Sequence, residues 1–170
     1  MNHILLITLS GDDQSGVTAG LTSILARHSV NILDIGQAVI HSTLTLGLLV
    51  ELPVDTPSEE VVAAIKAFAA ARGLRVVTDK VSGDSYNHWV DAQGMERYII
   101  TLLARKITSD QIARVTSVIS AHGLNIQGIN RLSGRIPMGK LPAQSKACVE
   151  FSARGSLPAA AEFRRELLEV

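Results

Sequence analysis

Residues Thr43–Leu52 carry the cleanest alternation in the chain. Leu44, Leu46, Leu48, Val50 and Leu52 fall on one side, and Thr43, Thr45, Gly47, Leu49 and Glu51 on the other. A period of two puts successive side chains on opposite faces, so this segment predicts a strand with one buried face. The apolar run His3–Ser10, ended by Gly11, predicts another buried strand. Val17, Leu21, Ile24, Leu25 and His28 recur at helical spacing, which predicts an amphipathic helix over 17–29. Val30–Ile40 reads as a strand. Pro53–Pro57 breaks the alternating strand, and Thr56-Pro57-Ser58-Glu59 has the form of a capping box with proline at the first helical position. Val61, Ile65 and Phe68 then line a helix ending near Gly73, and Arg75–Val81 is a fourth, more polar strand.

The pattern then returns. LTSILARHSVNILDI at 21–35 reappears as VTSVISAHGLNIQGI at 115–129, with Thr22/Thr116, Ser23/Ser117, His28/His122, Asn31/Asn125, Ile32/Ile126 and Ile35/Ile129 identical. So long a period indicates two copies of one small domain, not a solenoid of ~20–50-residue units. In the second copy a strand is expected at 95–103. Thr108-Ser109-Asp110-Gln111 forms a capping box, opening a helix with Ile112, Val115, Ile119 and His122 on one face. A strand at 124–132, an irregular segment at 133–146, a strand over Ala147–Ala153 and a helix over Pro158–Glu169 follow, the last with Ala160, Phe163 and Leu167 inward.

The order β-α-β-β-α-β predicts an α+β fold of two ferredoxin-like domains, each an antiparallel sheet with its helices on one face. The expected domains are 1–81 and 95–170, joined by the polar, glycine-broken linker 82–94. The second copy lacks its last strand. That leaves an edge near Ile99, Ile100, Leu102 and Leu103 of the kind that recruits another strand. The expectation is that the chain is the front part of a longer polypeptide.

Composition narrows the chemistry. Hydrophobic residues make up 46% of 170, enough for cores. With 16 basic and 16 acidic residues there is no general attraction to nucleic acid or anionic membrane. No apolar run approaches the ~20 residues that span a bilayer, and no signal peptide opens the chain. The sole cysteine, Cys148, reads as a small buried apolar residue; with no internal disulfide available, a cytoplasmic location is expected.

Several functions with this layout are disfavoured by residues. RNA-binding versions stack bases on aromatics of the central strands, and 4–9 and 43–52 carry none. Metal carriers need a cysteine pair in the first loop, which here is GDDQSG. The histidines His3, His28, His41, His88 and His122 show no ligand spacing; His28 and His122 read as helix C-terminal caps. There is no phosphate-binding glycine loop, nucleophile elbow or Asp-x-Asp pair, so the chain reads as non-catalytic, with no cofactor of its own.

What remains is the loop Gly11-Asp12-Asp13-Gln14-Ser15-Gly16, between a strand and the start of a helix. Free N–H groups and the positive helix end there suit a carboxylate, and a neighbouring aspartate suits an ammonium group. Together they suit an amino acid. The alternative is a plain turn with Asp13 as N-cap. The second copy has Ala104–Ser109 at this place, without the glycines.

These residues resemble ACT domains, small regulatory modules that bind amino acids. LDIGQAVIHSTLTLGLLVELP at 33–53, YNHWV at 86–90, RYIITLLARKIT at 97–108, GLNIQGINRLSGR at 123–135 and ACVEFSARG at 147–155 further resemble the amino-terminal region of the long, ACT-containing bacterial phosphoserine phosphatases. The resemblance implies a regulatory, dimerising region of an enzyme that makes serine from O-phosphoserine. A Mg²⁺-dependent catalytic domain would lie outside this chain, and serine would be the ligand. It places the ligand loop on Gly11, Asp13 and Gly16, with Asp12, Gln14 and Ser15 between; Ser15 stands where the family often has proline. A stand-alone transcriptional co-regulator and a purely structural dimerisation module are the alternatives. The basic residues Arg131, Arg135, Lys140 and Lys146 read either as a contact to the catalytic domain or its substrate, or as a solvated hairpin tip.

Overall fold

The computed structural model describes residues 3–137 and 146–170. Lys140, Gly139 and Pro142 of the basic segment lie outside the described residues. Two compact units divide the chain, residues 1–87 and 88–170.

In the first unit β1 (His3–Asp12), α1 (Val17–Arg27), β2 (Asn31–Ile40), β3 (Thr43–Leu52), α2 (Ser58–Ala70) and β4 (Arg75–Val81) form the expected order. The sheet runs β2-β3-β1-β4 with antiparallel pairs. The alternation in β3 has the predicted consequence: Leu44, Leu46, Leu48, Val50 and Leu52 are each at most 1% exposed. They pack with Leu5, Ile7 and Leu9 of β1 and with Val17, Leu21, Val61 and Ile65 of the helices. Burying each such side chain contributes about 1.5–3 kcal/mol. Gly20 lets the helices approach, since a Cβ there would overlap the Phe68 ring. The Arg72 guanidinium covers that ring at 4.0 Å from its centroid.

Two local expectations fail here. Gly11 and Asp12 belong to β1, paired with Leu44 and Thr43, instead of opening the turn. Thr56 does not cap α2: Pro57 is the N-cap, without a side-chain bond, and the Thr56 amide donates to the Pro53 carbonyl at 3.1 Å. The helix thus starts one residue too late for Thr56 to cap it, and Glu59 and Glu60 in its first turn favour the helix dipole instead.

The polar segment after β4 holds a helix that the apolar pattern did not predict, α3 (Gly83–Gln93). None of its residues is buried, so no apolar stripe betrays it. Ser82 Oγ accepts from the Ser85 amide at 3.1 Å and closes its start. Its far end is held by Arg154, which donates to the carbonyls of Gln93 (2.6 Å) and Met95 (2.9 Å). The same side chain reaches Gln127 Oε1 at 2.9 Å.

The second unit contains β5 (Arg97–Ala104), α4 (Ser109–Ala121), β6 (Asn125–Arg131), β7 (Ala147–Arg154) and α5 (Ala160–Leu168). Its sheet has three strands, in the order β5-β7-β6, so no strand covers the outer edge of β5 among the described residues. Val149, Phe151 and Ala153 of β7 face Val115 and Ile119 of α4 and Phe163 of α5. Ala160, expected inward, is exposed, because α5 begins only there. His28 and His122 are the C-caps of α1 and α4. His122 also reaches Glu166 through Nε2 at 3.1 Å and meets the Phe163 ring edge-on at 5.1 Å.

The Thr108 capping box is complete. The Gln111 amide donates to Thr108 Oγ1 at 3.3 Å, and the Thr108 amide donates to Gln111 Oε1 at 3.0 Å. Thr108→Ala is therefore expected to cost about 1 kcal/mol, read as a lower denaturation midpoint of the second unit with an unchanged denaturant slope.

Candidate functional site

The start of α1 is built differently from the start of α4. Gly16 is its N-cap, in the left-handed region (φ 85), and no side chain caps the helix. The first intrahelical bond runs from the Gly20 amide to the Gly16 carbonyl at 2.9 Å. The amides of Val17, Thr18 and Ala19 precede it and have no intrahelical acceptor. In α4 the same end is closed by Thr108 and Gln111. The open donor set thus belongs to the first unit, and Asp13 is not its N-cap.

Val17, Thr18 and Ala19 line a cleft of about 520 Å³ together with Asp13–Gly16, Gln37 of β2 and Leu44 of β3. The Asp13 amide donates to the Ser42 carbonyl at 2.8 Å, and Gln14 Nε2 donates to the Arg72 carbonyl at 3.0 Å. These bonds tie the loop to the β2–β3 turn and to the end of α2. Thr18 Oγ1 donates to Gln37 Oε1 at 2.6 Å, which leaves the Gln37 amide nitrogen as a donor on the β2 side. The cleft combines amide donors from a helix end and a glutamine with one carboxylate, Asp13. Such a set accepts an anionic group at one end and a cationic group at the other.

Of the residues singled out in the sequence, Asp13, Gln14, Ser15 and Gly16 line the cleft. Gly11 and Asp12 do not. Gly11 (φ +155) is approached by Leu74, whose Cδ2 would lie 2.7 Å from an added Cβ, so this glycine serves core packing. Thr18 and Gln37 were missed. The signal for Gln37 was available: it interrupts the apolar series Ile35, Val39 that shares its face of β2.

The fold and this loop define a class, and residues 3–79 match the model of the ACT domain family. The first unit is an ACT domain, and the chain is related to the ACT-containing region of phosphoserine phosphatases. It is 34% identical over 134 residues to phosphoserine phosphatase SerB2 of Mycobacterium tuberculosis, covering 76% of this chain and 31% of that protein. It is 30% identical over 151 residues to a phosphoserine phosphatase of Streptomyces coelicolor, covering 89% of this chain and 33% of that protein. The chain thus spans about one third of the length of these curated relatives. A protein of unknown function from Galdieria sulphuraria shares the fold, with a TM-score of 0.77 at 15% identity, covering 99% of this chain and 91% of that one. No helix among the described residues is long and apolar enough to cross a membrane.

Proposed function

We propose that this chain is the amino-acid-sensing and dimerising region of a phosphoserine phosphatase, with L-serine as its ligand. The observation that carries the reading is the uncapped start of α1 opening onto Asp13 and Gln37, where the equivalent helix of the second unit caps itself. The ligand carboxylate would take the amides of Val17–Ala19, and its ammonium would face Asp13. The phosphatase chemistry, including its Mg²⁺, would belong to a domain outside this stretch.

Dimerisation would use the outer edge of β2, where Ile32, Ile35 and Val39 remain 43, 48 and 40% exposed on the helix side of the sheet. A second copy pairing there would extend the sheet and bury this row. It would also bring the partner close to Gln37 on the same strand. Serine would then shift activity only by the difference in its affinity for two arrangements, typically about 1–3 kcal/mol.

The test is calorimetric titration of the chain with L-serine, with glycine and O-phosphoserine as controls, alongside its mass in solution. Saturable serine binding by a dimer is expected. Gly16→Val should weaken it at least ~10-fold, or about 1.4 kcal/mol. A Cβ at Gly16 meets nothing within 4 Å, so the chain should keep its far-ultraviolet spectrum while losing about 1–3 kcal/mol to strain at φ 85. Unchanged affinity in that variant would remove the ligand from this loop. A folded dimer that ignores serine would favour a purely structural role.

A further inference from the structure

The two units carry opposite net charge. Of the 16 basic residues, 5 fall in residues 1–87 and 11 in 88–170, whereas the 16 acidic residues divide 9 and 7. The reversal is sharpest at one end of each sheet, and the ladders show that these ends correspond. Ile7 lies opposite Leu48 and Ile100 opposite Phe151; counting on from these pairs, Gly11 opposite Leu44 corresponds to Ala104 opposite Ala147. Asp12 and Asp13 follow Gly11, whereas Arg105 and Lys106 follow Ala104. On the other flank Ile35 faces Leu48 and Ile129 faces Phe151, so Gln37, opposite Leu46, corresponds to Arg131, opposite Val149. Where the first unit has two acids and a neutral amide, the second has three cations, and Lys146, next to Ala147, adds a fourth.

All four of these basic side chains are exposed. Arg131 is held at the end of β6: its Nε donates to Ser133 Oγ at 3.1 Å and its Nη2 to the Gly134 carbonyl at 3.1 Å. Ser133 Oγ also accepts from the Cys148 amide at 3.1 Å, which ties this bend to β7. Neighbouring strands lie about 4.8 Å apart, so cations at the ends of β5, β7 and β6 spread over about 10 Å. The acids nearest along the chain, Asp110 in the first turn of α4 and Glu150 on β7, keep the patch short.

From this placement we propose that this end of the second unit is a docking surface for an acidic segment of a protein partner, one that presents several carboxylates together. The inference is independent of the ligand reading of the first unit. A single phosphate is poorly served, because the start of α4 is taken up by its own capping box and the cations span more than one anion. A nucleic acid finds no aromatic side chain to stack on within 104–108, 129–135 or 146–149, and the net-negative first unit repels a long polyanion. Several carboxylates on a flexible segment match both the spread and the sign of the patch. Such complementarity governs encounter rate and partner choice, and it weakens with salt.

The test is titration of the whole chain with a short polyglutamate peptide, followed by amide chemical shifts. Polyglutamine, inorganic phosphate and single-stranded oligothymidine serve as controls. The peptide should move the amides of Arg105, Lys106, Arg131 and Lys146. It should leave in place those of Arg72, Arg75 and Lys80, basic residues of the first unit. Lys106→Glu combined with Lys146→Glu should weaken binding at least ~5-fold; both lysines are exposed and lie outside the helices and strands, so the fold should hold. Arg131→Lys keeps the charge and should stay within about 2-fold of the parent affinity, whereas Arg131→Glu should not.

Unmoved amides at low ionic strength would overturn the proposal, as would equal shifts at Arg72 and Arg75, the mark of a general attraction. Phosphate or oligothymidine binding as tightly as the peptide would also overturn it, and so would unchanged affinity in the double lysine variant.

Discussion

Replacing Phe151 by alanine is expected to destabilise the second unit by about 3–5 kcal/mol. Its side chain is 0% exposed. It sits on the central strand, paired with Ile100 on one side and Ile129 on the other. Removing the ring leaves a void bounded by Val115, Ile119 and Phe163, and strands on both sides limit collapse into it. A unit of this size holds only about 0.05–0.15 kcal/mol per residue of net stability, so the loss takes a large share of it. The two buried clusters share no residue. The first unit should therefore keep its melting transition while that of the second falls steeply. Scanning calorimetry with hydrogen exchange by segment would separate the two. A single transition that shifts as a whole would show that the units unfold together.

Gly11→Val should cost about 2–5 kcal/mol, combining overpacking against Leu74 with backbone strain at φ +155. Both glycines were read from the sequence as ligand-loop residues, so the contrast with Gly16 is informative. The Gly11 variant should lower the denaturation midpoint of the first unit, and Leu74→Ala in the same chain should recover part of the loss. Additive costs would mean that the two residues do not meet. The Gly16 variant meets open space but must hold valine in the left-handed region (φ 85), so it too should lower that midpoint, by about 1–3 kcal/mol of backbone strain, which Leu74→Ala does not recover.

Strict apolar alternation made β3 legible from Thr43 to Leu52, because a period of two has one reading when every inward position is large and apolar. Arg75–Val81 was bounded by the glycine before it and the polar run after it. The second capping box held, whereas the first did not. Both have the right residues, but only at Thr108 does the backbone begin its helix where the box needs it. α3 escaped because none of its residues is buried and its far end is held from elsewhere, by Arg154.

The sequence by itself determined that this is a duplicated α+β chain, which faces form the cores, and that the first loop differs from its counterpart. These are local properties, set by side-chain period and turn chemistry. Only the tertiary structure decided which loop residues share a cleft. It drew Gln37 in from β2, assigned Gly11 to Leu74, and left the start of α1 uncapped. Those outcomes depend on strand register and on how far each helix start is carried by its neighbours, and distances across a fold are not written in the spacing of residues along it.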